Sequence, residues 1–276
     1  MYNYDIHKRF SEKNARWYEC YLEDSLYKSD SVGAGANTGS GAKGGRKLKS
    51  FYDELCRHIF DINLNLLEQK QIGDFPITYN ERSNSAAIAM ALSRLTPYVM
   101  SEYGVDCKGV DLREDESQNE KHRRTIDFWC ATEGANGFDM WIESKHLWLN
   151  VGKRARWEFD SSCIQRINDA ITQVRDIEQL QLAERVGDYD DFKLALFSIN
   201  IYCAKNQAPD MQELDSIPYV VAEMIQNVAN EMGGRPQGVL CSALDLRPSI
   251  KTDKENTYHL YEKEYLPFVL LCGVVL

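Results

Sequence analysis

No apolar run in this sequence reaches the roughly 20 residues a membrane helix needs. The longest, from Tyr265 to Leu276, falls short and is interrupted by Pro267 and Gly273. It reads as a buried terminal strand. The first residues, Met1-Tyr2-Asn3-Tyr4-Asp5, lack a basic segment followed by an apolar core, so no secretory signal is expected and a cytoplasmic setting is. The 8 cysteines include no CxxC pair. That spacing excludes a zinc ribbon and argues against a secreted disulfide framework, leaving buried free thiols. Positive charge is not in excess either. With 32 Lys+Arg against 42 Asp+Glu, the formal net charge is -10. Such a chain is a poor global match to nucleic acid, and phosphate contacts must come from local basic patches. There is no GxSxG, no HExxH and no dinucleotide fingerprint. The glycine-rich stretch 33–45 contains Lys43 but no GxxxxGK[ST], and no apolar strand precedes it. It is therefore not a phosphate loop. Having little to bury, it is expected to be flexible.

What is present suffices for a core, since 43% of residues are hydrophobic. Residues 4–30 carry a stripe of Phe10, Trp17 and Tyr21 that predicts an amphipathic helix. Helical spacing returns at 48–71 through Leu48, Phe51, Leu55, Ile59 and Ile62. Together these suggest an N-terminal helical region over 1–75. A helix is expected from about Glu81 through Leu95, which Pro97 either kinks or ends, and a short strand is expected at 105–110. The charged segment 111–124 reads as a hairpin loop with an acidic arm and a basic end. Further helices are expected at 161–186 and 210–232, with strands at 193–202, 238–244 and the C-terminus. The order of elements predicts an α/β (α+β) layered fold with a central mixed sheet flanked by helices.

Two aromatic-rich runs read as neighbouring strands. One is Thr125-Ile126-Asp127-Phe128-Trp129-Cys130. The other runs from Phe138 through Glu143-Ser144-Lys145 to Leu149, with turn residues between them. Residues two apart on a strand project to the same face, so Glu143 and Lys145 point together. Carboxylates and an ammonium inside buried sheet are costly unless they pair or hold a metal. Two carboxylates from adjacent strands suffice for Mg²⁺, which retains several of its own waters. A lysine beside them adds a point charge for a phosphate or the attacking water. The unit suits phosphodiester hydrolysis. The basic groups Lys121, Arg123 and Arg124, and Lys153, Arg154 and Arg156, flank these strands and are candidate phosphate contacts.

Over roughly residues 78–205 the pattern resembles the PD-(D/E)xK, restriction endonuclease-like, nuclease superfamily. Its members carry a helix with a glutamate, a β-meander with an aspartate and a (D/E)xK, then a helix and another strand. The resemblance implies a restriction endonuclease-like domain over 76–276. It implies Asp127 and Glu143 as metal-binding carboxylates, the Ser144 carbonyl as a further metal ligand and Lys145 as the motif lysine. Glu81 matches the helix glutamate, and Gln173 is similar to a glutamine that some members carry on the following helix. Ile126 stands where the motif's proline is often found. The implied cofactor is Mg²⁺, with Mn²⁺ able to substitute. The implied activity is endonuclease or exonuclease cleavage, with DNA as substrate, in restriction, phage defence or repair. The alternative is a catalytically inactive binding or assembly subunit on the same fold, acting through a protein partner or as a homodimer.

Overall fold

The computed structural model describes residues 5–10, 16–21, 45–106, 123–134, 137–177, 190–210, 212–232, 236–247 and 264–276. Eight strands form one sheet: β1 (Asp5–Phe10), β2 (Arg16–Tyr21), β3 (Tyr98–Asp106), β4 (Arg123–Ala131), β5 (Phe138–Asn150), β6 (Asp190–Ala204), β7 (Gly238–Asp245) and β8 (Glu264–Val275). Their spatial order is β1-β2-β7-β8-β6-β5-β4-β3. Among the described residues four α-helices cover it: α1 (Gly45–Glu68), α2 (Glu81–Leu95), α3 (Ser161–Arg175) and α4 (Ile217–Glu231). All neighbouring strands pair antiparallel except β5 and β6, which run parallel from Phe138↔Asp190 to Asn150↔Tyr202. A parallel pair needs a crossover, and α3 lies in it. The expected mixed sheet flanked by helices is therefore present. Among the described residues no helix is long and apolar enough to cross a membrane.

The sheet separates two cores. On one side α1 and α2 pack Leu55, Ile59, Ile88 and Leu92 against Phe128, Ile142, Leu196 and Leu271. On the other, α3 and α4 pack Ile167, Ile171, Val221 and Ile225 against Trp141, Leu147, Phe197 and Leu270. Central strands covered on both faces read as nearly continuous apolar runs, as β6 and β8 do. Where α1 crosses β8, Gly273 is required by space. A Cβ there would lie 2.8 Å from both the Tyr52 ring and a Leu194 methyl. The Tyr52 hydroxyl donates to the Leu271 carbonyl at 2.8 Å in the same place.

Local capping sets both helices that flank the site. The Asn80 side chain accepts from the Ser83 N–H at 3.0 Å to open α2. Asp160 accepts from the Cys163 N–H at 2.7 Å to open α3.

Several expectations need correction. Residues 5–10 and 16–21 are strands, not helix, and β2 pairs with β7 from Arg16↔Asp245 to Tyr21↔Leu240. The helix expected over 48–71 is present as α1 and packs in the main core, while the two N-terminal strands extend the sheet. The strand expected at 105–110 is β3, which begins at Tyr98. The helix expected over 161–186 is α3, which spans Ser161–Arg175, with residues 178–186 outside the described residues, and α4 starts at Ile217 rather than 210. The glycine-rich stretch up to residue 44, the acidic arm at 111–122 and Lys121 lie outside the described residues.

Candidate functional site

The site forms where β4 parts from β5. Their ladder runs from Ala131↔Asp139 to Phe128↔Ile142 and stops. The next residue along β4, Asp127, takes over with its side chain. Oδ2 accepts from the Ser144 N–H at 2.8 Å and from the Ser144 hydroxyl at 2.9 Å. In an extended strand the N–H and C=O of one residue point to the same edge. The Ser144 carbonyl therefore faces the same gap. Side-chain alternation is also broken here. Phe128 packs in the α1/α2 core, yet Ile126, two residues away, packs in the α3/α4 core. On β3 the register position opposite Asp127 is Glu102, flanked by the pairs Ser101↔Phe128 and Tyr103↔Ile126. Its φ of 51° is left-handed, which is uncommon for a residue with a side chain. Both strands kink at one level, and Asp127 sits at the kink.

Lys145 connects the remaining carboxylates. Its ammonium lies 2.7 Å from Glu143 Oε1 and 3.2 Å from Glu81 Oε1. Glu81 is the first residue of α2, on the α1/α2 side. Lys145 has the strand parity of Trp141 and Leu147, which pack on the opposite side. Reaching Glu81 is feasible because β4 no longer flanks β5 at this level. The Glu143 side chain is 5% exposed. Burial foremost, with the nearby Asp127 charge, raises its pKa, and Lys145 opposes that rise. Burial pulls the Lys145 pKa down, but Glu143, Glu81 and Asp127 outweigh it and the net shift is upward. The lysine is therefore a cation at neutral pH. It has three N–H donors, and two are engaged.

Each carboxylate keeps an oxygen in reserve. Both Ser144 bonds go to Asp127 Oδ2, leaving Oδ1 uncommitted. Glu143 Oε2 is buried without a hydrogen-bond partner. Carboxylate oxygens and a main-chain carbonyl are hard-oxygen donors of the kind Mg²⁺ takes. Among the described residues, no group of three or more His, Cys, Asp or Glu side chains is placed to hold a metal. Any ion here must complete its shell with the carbonyl and water.

The chain thus brings Asp127, Glu143, Ser144, Lys145 and Glu81 together. Gln173, on α3, does not join their hydrogen bonds, and its buried Oε1 has no partner. Arg124 is exposed at the start of β4, and Arg123 belongs to the same strand. Lys153, Arg154 and Arg156 are exposed between β5 and α3, beyond the end of the strand that carries Lys145.

Behind the lysine lies a polar group that the sequence reading passed over. His146, 3% exposed, has Nδ1 2.9 Å from Ser198 Oγ and 3.1 Å from the Asn84 amide nitrogen, with Nε2 3.2 Å from the Asn200 amide. Asn84 also donates to Ser198 at 2.9 Å. Burial, with Arg166 nearby, pushes the imidazole down to about 4, so it is neutral at physiological pH. A neutral ring has one N–H. One ring nitrogen therefore donates and the other accepts, and Asn200 Oδ1 is buried without a hydrogen-bond partner. The signal was available: Ser198 and Asn200 are two polar residues, two apart, inside the apolar run 194–201. Comparisons with protein-family models, with curated proteins and with solved structures return no match.

Proposed function

We propose that this chain is a divalent-metal-dependent nuclease of the PD-(D/E)xK kind, hydrolysing phosphodiester bonds of DNA. The observation that carries this reading is the Lys145 ammonium held between Glu143 and Glu81, beside an Asp127 bonded to Ser144, where β4 and β5 separate. The succession α2-β3-β4-β5-α3-β6 supports it. It joins an antiparallel meander to a strand parallel with β5, the order expected of a restriction endonuclease-like core.

Asp127, Glu143 and the Ser144 carbonyl would hold Mg²⁺ or Mn²⁺. Such an ion supplies Lewis acidity at the phosphate and lowers the pKa of a bound water. Lys145 stays charged, so its part is electrostatic: its third N–H is available to a phosphate oxygen on which negative charge develops. Glu81 and Glu143 fix the direction of that ammonium. Arg123, Arg124, Lys153, Arg154 and Arg156 supply cations for the backbone of a bound strand, offsetting the unfavourable net charge locally.

The test is cleavage of labelled single- and double-stranded DNA with Mg²⁺ or Mn²⁺. Wild-type protein is expected to cut, while Asp127→Ala and Lys145→Ala fall by at least ~100-fold, the loss typical of removing an electrostatic transition-state contact. Equal cleavage by both variants would remove the reading. A wild-type chain that binds no metal and cuts nothing, yet forms a stable complex, would instead be a binding subunit on this fold.

A further inference from the structure

The buried group behind Lys145 contains more polar atoms than packing requires. Asn84, His146, Ser198 and Asn200 are 4%, 3%, 5% and 0% exposed. Burying a hydroxyl, two amides and an imidazole is unfavourable unless their mutual bonds are well made. These residues come from three elements, α2, β5 and β6. Two of them are tied by the chain to the site: Asn84 lies one helical turn after Glu81, and His146 directly follows Lys145. A cavity of about 10 Å³ joins the two groups, walled by Glu81, Asn84, Ser144, Lys145 and Ser198. That volume admits about one water, and the buried Asn84 Oδ1 has no hydrogen-bond partner.

We propose that Asn84, His146 and Ser198 are a positioning unit that fixes the start of α2 against β5 and so holds Glu81 on the Lys145 ammonium. None of the three touches substrate. The polarity of the unit makes the docking directional. An apolar contact tolerates a slide or rotation of α2, whereas bonds from one amide to both His146 and Ser198 do so only by leaving buried groups unsatisfied. Glu81 needs this support. Its side chain is 39% exposed, and a half-exposed carboxylate is weakly held by its ion pair alone. His146 serves as a neutral acceptor and takes no part in proton transfer.

The inference rests on the nuclease reading, but it has a readout of its own. In the full-length chain with ¹³C-labelled lysine, the Lys145 resonance is titrated in wild type, Glu81→Ala, Asn84→Ala, His146→Phe and Ser198→Ala. The inference requires Asn84→Ala and His146→Phe to shift the Lys145 titration in the direction that Glu81→Ala does. Ser198→Ala, a small change that keeps the fold if the others do not, shifts it the same way by less. In cleavage assays, kcat falls by about 10–100-fold in Asn84→Ala, the size of effect seen when a residue orienting a site ligand is lost, while KM for DNA stays within twofold. The double variant Glu81→Ala/Asn84→Ala is no slower than Glu81→Ala, because both changes act through one side chain. A Lys145 titration that moves in Glu81→Ala but not in Asn84→Ala or Ser198→Ala would overturn the inference. So would additive loss in the double variant. Absence of any cleavage by wild type would refute the nuclease reading, while the titration alone would still decide the positioning role.

Discussion

Replacing Lys145 by methionine keeps an unbranched side chain one heavy atom shorter and removes its charge. The Lys145 side chain is 15% exposed, and the Glu143 side chain it bonds at 2.7 Å is 5% exposed. Removing one partner of a buried pair costs roughly 3–5 kcal/mol, because the other charge stays desolvated. The more exposed bridge to Glu81 adds at most about 1 kcal/mol. Because the pair is not fully dry, the lower end applies, and Lys145→Met should lose about 3 kcal/mol near pH 8. In a chain of this size that corresponds to a drop in Tm of roughly 6–10 °C.

The loss has a definite pH dependence. Glu143 already titrates above its ordinary value, through burial and Asp127. Without Lys145 to oppose that, its folded-state pKa rises further above the unfolded one. The folded state then binds the proton more tightly. Stability is greatest below the unfolded pKa and declines as pH rises through the folded one. The deficit of the variant therefore shrinks towards about pH 5, and Glu143→Gln/Lys145→Met recovers most of it at pH 8. Urea denaturation followed by tryptophan fluorescence, with Trp129 and Trp141 in the adjoining strands, reads both effects. A deficit below about 1 kcal/mol, the range of exposed pairs, or one that is constant from pH 5 to 8, would refute the desolvated-pair argument.

Three further outcomes are expected. Gly273→Ala forces a methyl to within 2.8 Å of Tyr52 and Leu194, and this overpacking should cost about 1–3 kcal/mol in chemical denaturation. His146, pushed down to about 4, stays neutral in the fold while it protonates in the unfolded chain from about 6.5 downward; stability therefore falls on acidification between those values, by about 3 kcal/mol. Denaturation from pH 7 to 4.5 should show a steeper acid loss in wild type than in His146→Asn. Finally, Ca²⁺ at a hundred times its dissociation constant should stabilise the wild type by about 2.7 kcal/mol, read as a rise in Tm that Asp127→Asn abolishes.

The elements around the site were legible because their patterns are local. α2 announces itself through Glu81, Leu95 and Pro97, and β5 through an aromatic run that no helix stripe imitates. Glu143 and Lys145 two apart inside that run marked the site, and Asp127 marked its partner strand. The N-terminal strands were not legible. In short segments, Phe10, Trp17 and Tyr21 fit a helical stripe, and what makes β2 a strand is pairing with β7, far along the chain. The same holds for the kink at Asp127 and Glu102, which depends on two strands bending together. His146, next in the chain to Lys145, has the opposite strand parity. Its use there needed Asn84 and Ser198, which only the packing of α2 on β5 and β6 brings within bonding distance.

Crystals soaked in Mn²⁺ and measured for its anomalous scattering would test the central claim most directly. A peak bonded to Asp127 Oδ1, Glu143 Oε2 and the Ser144 carbonyl, with Lys145 alongside, is the expected result. No peak in that gap at saturating Mn²⁺, or a peak that persists in Asp127→Ala/Glu143→Ala, would contradict it.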